Sequence, residues 1–192
     1  MINIAIFASG NGSNAENIAG YFKDDSRVNI KTVLTNNENA TVIKRMKSLD
    51  IPTVYFPKDT WTKGEKIVNY LKEEKIDLIV LAGFMNLIVK PIIDAYGNRI
   101  INIHPSLLPK FGGKGMYGMN VHKAVINANE PESGITIHHV TEEMDNGNII
   151  FQARCDVLPD DTPELLAERI HNLEYIYYPQ IIKKILFENH IL

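Results

Sequence analysis

Short apolar segments alternate with helix-like segments along the first half of the chain, and this alternation constrains the fold more than any other feature. Four strand-like segments share a high content of β-branched and other apolar residues: 2–8, 28–34, 53–56 and 77–82. Segments between them begin at Ser13, near Ala40 and at Lys63, and they carry apolar residues at helical spacing. Such an alternation predicts an α/β fold with a mostly parallel sheet, and Ser13 is the predicted N-cap of the first helix.

The second half of the chain has a different pattern. Residues 99–104 are a fifth predicted strand, and residues 135–140 and 148–155 are two more. The gap between the last two strands is too short for a helical crossover, so they are expected to form an antiparallel pair. Thr162 followed by Pro163 predicts the start of a long terminal helix, because these residue types favour the N-cap and the first helical position.

Length and composition exclude several classes of protein. The chain has 192 residues, predicted to form a single domain over 1–192, and no apolar run approaches the roughly 20 residues that span a bilayer. Its single cysteine, Cys155, rules out an internal disulfide and a zinc site built from several thiolates. The net charge is −3, without a long basic run, so neither nucleic acid nor membrane is an expected partner. Residues 1–6 lack a basic region ahead of their apolar run, which predicts a cytoplasmic location.

A glycine loop follows the first predicted strand. We use this name for Gly10, Asn11, Gly12, Ser13 and Asn14. Glycines between a strand and a helix allow backbone amides to approach a phosphate, and the helix dipole favours the anion. A dinucleotide site would also need an acidic residue at the end of the second strand, where the chain has Thr35, Asn36 and Asn37. The loop therefore favours a mononucleotide or sugar phosphate, with a simple tight turn as the alternative.

Asn102 and His104 are the main candidates for chemistry. Residues two apart on a strand share a face, so the amide and the imidazole lie side by side at the carboxyl end of the fifth strand. A fixed amide donor near an imidazole suits attack on a carbonyl group, because the donor stabilises the oxyanion while the ring handles a proton. The alternative is that both residues only make local hydrogen bonds. Asp145 is either an ordinary turn residue or the carboxylate partner of His104.

Two further histidines, His138 and His139, lie next to each other on a predicted strand. Because side chains alternate across a strand, only one of the two can face the candidate site. Either one is predicted to be a buried structural histidine. Neither belongs to a metal-ligand pattern, so no metal is expected.

Four strings of sequence together resemble the phosphoribosylglycinamide formyltransferase family, which uses folate in purine biosynthesis. They are Ser9-Gly10-Asn11-Gly12-Ser13-Asn14, Leu81-Ala82-Gly83-Phe84-Met85, Asn102-Ile103-His104-Pro105-Ser106-Leu107-Leu108-Pro109 and residues 141–147. The resemblance covers nearly the whole chain. It implies a Rossmann-like formyltransferase fold, with a sugar-phosphate-binding half (1–100) and a catalytic and folate-binding half (101–192).

The resemblance also implies roles for individual residues. Asn102, His104 and Asp145 match the catalytic residues of the family. The glycine loop, Gly10 to Asn14, matches the segment that binds the ribonucleotide phosphate, and Glu174 matches a ribose contact. The residues that match the folate site are Met85, Asn86, Leu87, Ile88, Asn102, Thr141, Glu142, Glu143, Met144 and Asp145. The bond between Leu108 and Pro109 is expected to be cis.

The implied reaction is transfer of a formyl group from 10-formyltetrahydrofolate, the co-substrate, to the amine of phosphoribosylglycinamide, without a metal. The expected partners are these small molecules and folate itself, and the chain is expected to be a monomer or homodimer. The alternatives are a methionyl-tRNA formyltransferase-like enzyme, a formyltetrahydrofolate deformylase and a noncatalytic sugar-phosphate-binding module.

Overall fold

A computed structural model describes residues 1–188, so the last four residues of the predicted 1–192 domain lie outside it. The strands are β1 (Ile2–Phe7), β2 (Val28–Thr35), β3 (Thr53–Tyr55), β4 (Leu78–Leu81), β5 (Ile100–His104), β6 (Glu132–His139) and β7 (Ile149–Asp156). The α-helices are α1 (Ser13–Phe22), α2 (Thr41–Lys47), α3 (Lys58–Lys63), α4 (Glu65–Glu73), α5 (Lys90–Tyr96), α6 (Met119–Asn127) and α7 (Pro163–Phe187). A short 3₁₀ helix covers Gly97–Arg99.

The strands form one sheet in the order β3-β2-β1-β4-β5-β6-β7. The pairs among β1 to β5 are parallel, whereas β5 with β6 and β6 with β7 are antiparallel. The predicted α/β class, the mostly parallel sheet and the antiparallel pair at its end are therefore confirmed. The cis bond expected between Leu108 and Pro109 is also present.

Apolar residues of the central strands pack on both faces of the sheet. In β1, Ile4 and Ile6 belong to one buried cluster and Ala5 and Phe7 to the other, as the strand alternation requires. The first cluster includes residues of α1, α2, α6 and α7, and the second includes residues of α3, α4 and α5. The fold thus has three layers, with the sheet between two layers of helices.

Three details differ from the sequence-based expectations. The helix expected to begin at Lys63 begins instead at Glu65 as α4, and a separate helix, α3, precedes it and was not predicted; Gly64, in a left-handed conformation (φ 80°), lies between the two. Helix α5 was not predicted, and Pro91 lies within its first turn, where proline is tolerated. Helix α6 was not predicted either, since it begins just after the glycine-rich segment, residues 111–118.

Helix α7 lies against the sheet beside the carboxyl ends of the central strands. It begins at Pro163, and the Thr162 side chain accepts a hydrogen bond from the Leu165 amide, which confirms the predicted cap. Tyr178 is fully buried, and its hydroxyl donates to the Leu81 carbonyl at the end of β4 (2.8 Å). Burial raises the pKa of Tyr178 well above its usual value, so the hydroxyl stays a donor. Within residues 1–188, no helix has the length and apolar character needed to cross a bilayer.

Candidate active site

A cavity of about 330 Å³ opens at the carboxyl ends of β1, β4 and β5. This is the edge at which open α/β sheets bind ligands. The sequence-predicted site residues that line it are Gly10, Asn11, Gly12, Ser13, Asn14, Met85, Asn86, Leu87, Ile88, Asn102, His104, Thr141, Glu143, Met144, Asp145 and Glu174. The fold thus brings together residues that are distant in sequence.

Glu142 is the exception among the predicted residues, because it does not line the cavity. Its carboxylate lies 3.4 Å from the Lys90 ammonium, at the start of α5, and both side chains are exposed. The Glu142 side chain therefore points to α5, and a role for this residue at the folate site stays a prediction. An exposed ion pair of this kind contributes little to stability.

The glycine loop connects β1 to α1 and differs from its prediction in one respect. Gly12, not Ser13, is the N-cap of α1, and no side chain caps this helix. Gly12 has a φ of 78°, and a Cβ at this position would lie 2.4 Å from Val42 Cγ2. Both the conformation and the close approach require glycine, so the predicted Ser13 cap is wrong.

The backbone amides at the start of α1 are open to a ligand. Among residues 1–188, no acceptor receives a hydrogen bond from the backbone N–H of Gly12, Ser13 or Asn14. Unpaired amides at a helix N-terminus carry partial positive charge and bind anions. This end of the cavity can therefore hold a phosphate.

Asn14 and Glu174 meet beside the glycine loop. The Asn14 amide donates to Glu174 Oε2 (2.8 Å), while Asn14 Oδ1 is buried and has no partner among the described residues. Burial raises the pKa of Glu174, and the bond from Asn14 counteracts part of that effect. The two side chains present hydrogen-bonding oxygens that suit the hydroxyl groups of a sugar.

His104 is buried at the end of β5, and its contacts define its proton positions. Its Nε2 donates to the Phe111 carbonyl (2.8 Å), because a carbonyl oxygen can only accept. Its Nδ1 lies 3.5 Å from Asp145 Oδ2. The ring therefore gains or loses a proton at Nδ1, next to a carboxylate.

Asp145 is held in place by the glycine-rich segment before α6. It has a φ of 55°, an uncommon conformation that aspartate tolerates better than most residues. Its Oδ2 accepts a hydrogen bond from the Gly113 amide (2.9 Å). At Gly112, a Cβ would lie 2.5 Å from Leu108 Cδ2 and 3.3 Å from Asp145 Cβ, so the segment packs closely against the carboxylate.

His138 lines the same cavity and fixes the Asn102 amide, a role the sequence did not indicate. Its Nδ1 donates to the His139 carbonyl (2.8 Å), which leaves Nε2 to accept from Asn102 Nδ2 (3.1 Å). Burial lowers the pKa of His138, so the ring stays neutral and Nε2 remains an acceptor. One Nδ2 hydrogen of Asn102 is therefore occupied, and the other is available to a ligand. His139 does not line the cavity, in agreement with strand alternation.

An apolar wall forms the other end of the cavity. Met85 and Leu87 are about half exposed (52% and 53%), and Met144 on the opposite loop is 39% exposed. The Met85 amide donates to Ser9 Oγ (2.8 Å), which ties this segment to the residue just before the glycine loop. Exposed apolar side chains around a cavity suit a flat, largely apolar ring.

Sequence reasoning also missed residues in the glycine-rich segment, on α6 and on α7 just before Glu174. The additional lining residues include Met116, Tyr117, His122 and His171. His122 is buried on α6, its Nδ1 has no partner among the described residues, and burial lowers its pKa to about 4. The sequence contained no signal for these lining residues, because the glycines before α6 are typical of a loop and the helix was not predicted. Among residues 1–188, no group of three or more His, Cys, Asp or Glu side chains could hold a metal ion.

Comparisons with known proteins agree on one family. The model of the formyl transferase family matches residues 2–182. A phosphoribosylglycinamide formyltransferase of Bacillus subtilis (strain 168) is 39% identical over 191 residues, which cover 97% of this chain and 95% of that protein. A chloroplastic phosphoribosylglycinamide formyltransferase of Arabidopsis thaliana is 40% identical over 192 residues, covering 96% of this chain. The chain spans 65% of the length of the Arabidopsis protein, slightly less than two thirds.

Solved structures give the same result. The crystal structure of phosphoribosylglycinamide formyltransferase from Bacillus halodurans has a TM-score of 0.89 and 37% sequence identity. The match covers 99% of this chain and 98% of that one.

Proposed function

The chain belongs to the formyl transferase family, and from this membership we propose that it transfers a formyl group from 10-formyltetrahydrofolate to the amine of phosphoribosylglycinamide. The observation that carries the proposal is the cluster of Asn102, His104 and Asp145 in one cavity, between open backbone amides and an apolar wall. A nucleotide-like acceptor and a ring-bearing donor can therefore meet at the same polar groups.

The acceptor substrate binds at the glycine loop in this proposal. The unpaired amides of Gly12, Ser13 and Asn14 receive the phosphate. Asn14 and Glu174 then face the ribose hydroxyl groups, since the buried Oδ1 of Asn14 needs a donor that residues 1–188 do not provide. The glycinamide amine extends from the ribose toward Asn102.

The formyl donor binds against the apolar wall. Met85, Leu87 and Met144 offer exposed apolar surface to the folate ring. Thr141 and Glu143 lie on the loop that also carries Asp145, so this loop contacts the donor from the other side. The folate is a co-substrate here, and it supplies the formyl group.

The reaction proceeds by direct transfer without a covalent enzyme intermediate. The amine nitrogen attacks the formyl carbon, a new carbon–nitrogen bond forms, and the formyl oxygen takes the negative charge. Asn102 donates its available Nδ2 hydrogen to this oxyanion, a contribution that typically lowers a barrier by about 2.7–4 kcal/mol. His138 holds the amide in the orientation that this donation requires.

Collapse of the tetrahedral intermediate breaks the bond between the formyl carbon and the folate nitrogen. The proton that leaves the attacking amine must end on that nitrogen. His104 takes and returns this proton at Nδ1, and Asp145, 3.5 Å away, stabilises the ring while it is charged. A shared cavity also raises the effective concentration of the two substrates.

The test is to mix the purified chain with 10-formyltetrahydrofolate and phosphoribosylglycinamide and to follow the deformylated folate. The expected result is a rate that depends on both substrates, with formylated glycinamide ribonucleotide as product. Ribosylglycinamide without its phosphate is the control acceptor, and we expect it to react far more poorly. Deformylation that does not need an acceptor, or formylation of methionyl-tRNA instead, would contradict the proposal and favour the corresponding alternative.

The proposal involves small-molecule partners only. The assignment of a cytoplasmic location and of a monomer or homodimer stays a prediction. Light scattering of the purified chain, with and without the two substrates, measures the oligomeric state directly.

A further inference from the structure

Three consecutive carbonyl groups of the glycine loop are bonded within the protein. Gly10 O accepts from the Val42 amide (3.1 Å), Asn11 O accepts from Arg45 Nε (3.0 Å), and Gly12 O accepts from the Glu16 amide (2.9 Å). The neighbouring amides of the loop have no acceptor within residues 1–188. The loop therefore has these backbone carbonyl groups bonded and its backbone N–H groups open, which is the state that an anion requires.

Only one of these three bonds comes from a side chain. Arg45 on α2 donates from Nε to Asn11 O and also to Asn11 Oδ1 (3.0 Å each). Its Nη1 forms an ion pair with Glu16 on α1. One guanidinium group thus joins α2, the glycine loop and the first turn of α1.

Arg45 contacts the loop without lining the cavity. It is therefore placed to act on a ligand through the loop. Without it, the Asn11 carbonyl loses its donor and can turn, and a carbonyl turned toward a phosphate repels the anion. The planar guanidinium provides two donors in fixed directions, which a lysine ammonium cannot reproduce.

We propose that Arg45 is a positioning residue for phosphate recognition: it holds the glycine loop with its carbonyl groups bonded and its amides free. This inference rests on the proposed function, because it requires a phosphate at the glycine loop. The ion pair with Glu16 keeps the guanidinium in the orientation that reaches Asn11.

The experiment compares Arg45→Met and Arg45→Lys with wild type, using phosphoribosylglycinamide and its dephosphorylated form. Lys44→Met is the matched control, because it removes a positive charge from the same helix at a side chain with no hydrogen bond or ion pair among the described residues. Calorimetric titration without folate gives binding, and steady-state kinetics gives KM and kcat. Thermal unfolding checks that each variant is folded. Arg45→Lys keeps the test valid if Arg45→Met is unstable.

Loss of a charge-assisted hydrogen bond predicts roughly a tenfold to hundredfold higher Kd and KM for phosphoribosylglycinamide in Arg45→Met. The effect of Arg45→Lys is expected to be intermediate, and that of Lys44→Met negligible. The kcat and the KM for the formyl donor should stay at wild-type values. The dephosphorylated substrate should bind equally to wild type and Arg45→Met, because Arg45 then has no phosphate to act on.

Two outcomes would overturn the inference while leaving the proposed function intact. The first is an equal loss of affinity for phosphoribosylglycinamide and for its dephosphorylated form in Arg45→Met, which would mean that Arg45 supports the fold in general. The second is an unchanged KM for phosphoribosylglycinamide. A wild-type protein that transfers formyl groups without preferring the phosphorylated acceptor would overturn the phosphate assignment and the inference together. A wild type with no transfer activity at all would overturn the proposed function and, with it, the inference.

Discussion

The glycine loop and the polar cluster of Asn102, His104 and Asp145 lie in the same cavity but are built differently. The loop is one continuous stretch that offers backbone N–H groups. The cluster consists of side chains from β5 and from the loop between β6 and β7. Recognition at the loop therefore depends on backbone conformation, whereas chemistry at the cluster depends on which functional groups are present and how they are oriented.

This difference teaches where each region is sensitive to substitution. In the glycine loop, the critical position is Gly12, because a side chain there would collide with Val42. In the cluster, each side chain is oriented by a neighbour: His104 by the Phe111 carbonyl, Asn102 by His138 and Asp145 by the Gly113 amide. Three predictions test this comparison.

Asn102→Asp should have the largest effect. The change removes the amide donor and places a second negative charge near the developing oxyanion and Asp145. Loss of an oxyanion donor alone lowers kcat by roughly 10²- to 10³-fold, and the repulsion should lower it further. Steady-state kinetics measures the effect, with the exposed Asn127→Asp as the matched control. Turnover near the wild-type rate would mean that Asn102 is not the oxyanion donor.

Gly12→Ala should have the second largest effect. The new Cβ would lie 2.4 Å from Val42 Cγ2, on a backbone with φ of 78°, so the loop must move. We expect a KM for phosphoribosylglycinamide at least about tenfold higher and a free energy of unfolding lower by about 1–3 kcal/mol.

Gly10→Ala is the matched control for this prediction. Its φ is not positive, and a Cβ there would meet no atom within 4 Å. Its effects on KM and on the free energy of unfolding, measured by denaturant titration, should be much smaller. Equal effects of the two substitutions would contradict the view that loop conformation at Gly12 controls recognition.

The smallest predicted effect concerns the pH dependence of stability. The glycine loop has no titratable side chain. His122, in contrast, is a buried residue that lines the cavity, and burial lowers its pKa to about 4. A lowered pKa means that the unfolded chain binds the proton more readily, so stability falls as the pH drops below about 6.5. The expected loss from His122 is about 2 kcal/mol between pH 7 and pH 5.

Chemical unfolding of wild type and His122→Gln at the two pH values measures this contribution. The pH-dependent loss should be smaller in the variant by about the same 2 kcal/mol. Burial also lowers the pKa of His138 and His139, so some pH dependence of the same sign should persist in the variant. An identical pH dependence in both proteins would show that His122 does not contribute.

The sequence was sufficient to predict the seven strands and the mostly parallel class of the sheet, since β-branched runs and the helical spacing between them are local signals. It did not predict the order of the strands in the sheet. The sequence-based prediction failed where contacts between distant parts of the chain override a local sequence preference. Ser13 has a good N-cap side chain, but the approach of Val42 demands glycine one residue earlier. Helix α6 escaped prediction because Gly118, with a φ of 51°, precedes it in a segment typical of a loop.

The candidate site was predictable only in part, for a related reason. The strand periodicity placed Asn102 and His104 on one face, but no periodicity connects His104 with Asp145, 41 residues later. Their distance depends on the packing of Gly112 and Gly113 against the Asp145 loop. Likewise, strand alternation showed that only one of His138 and His139 faces the cavity, but not that His138 orients Asn102.

The hydrogen bond between Asn14 and Glu174 has a consequence for the timing of synthesis. The two residues are 160 positions apart, so the ribosome makes the first well before the second. A nascent chain that already contains the glycine loop and the polar cluster still lacks α7, and with it one wall of the cavity. The complete pocket therefore arises only after translation has passed Glu174, long after the glycine loop has been made.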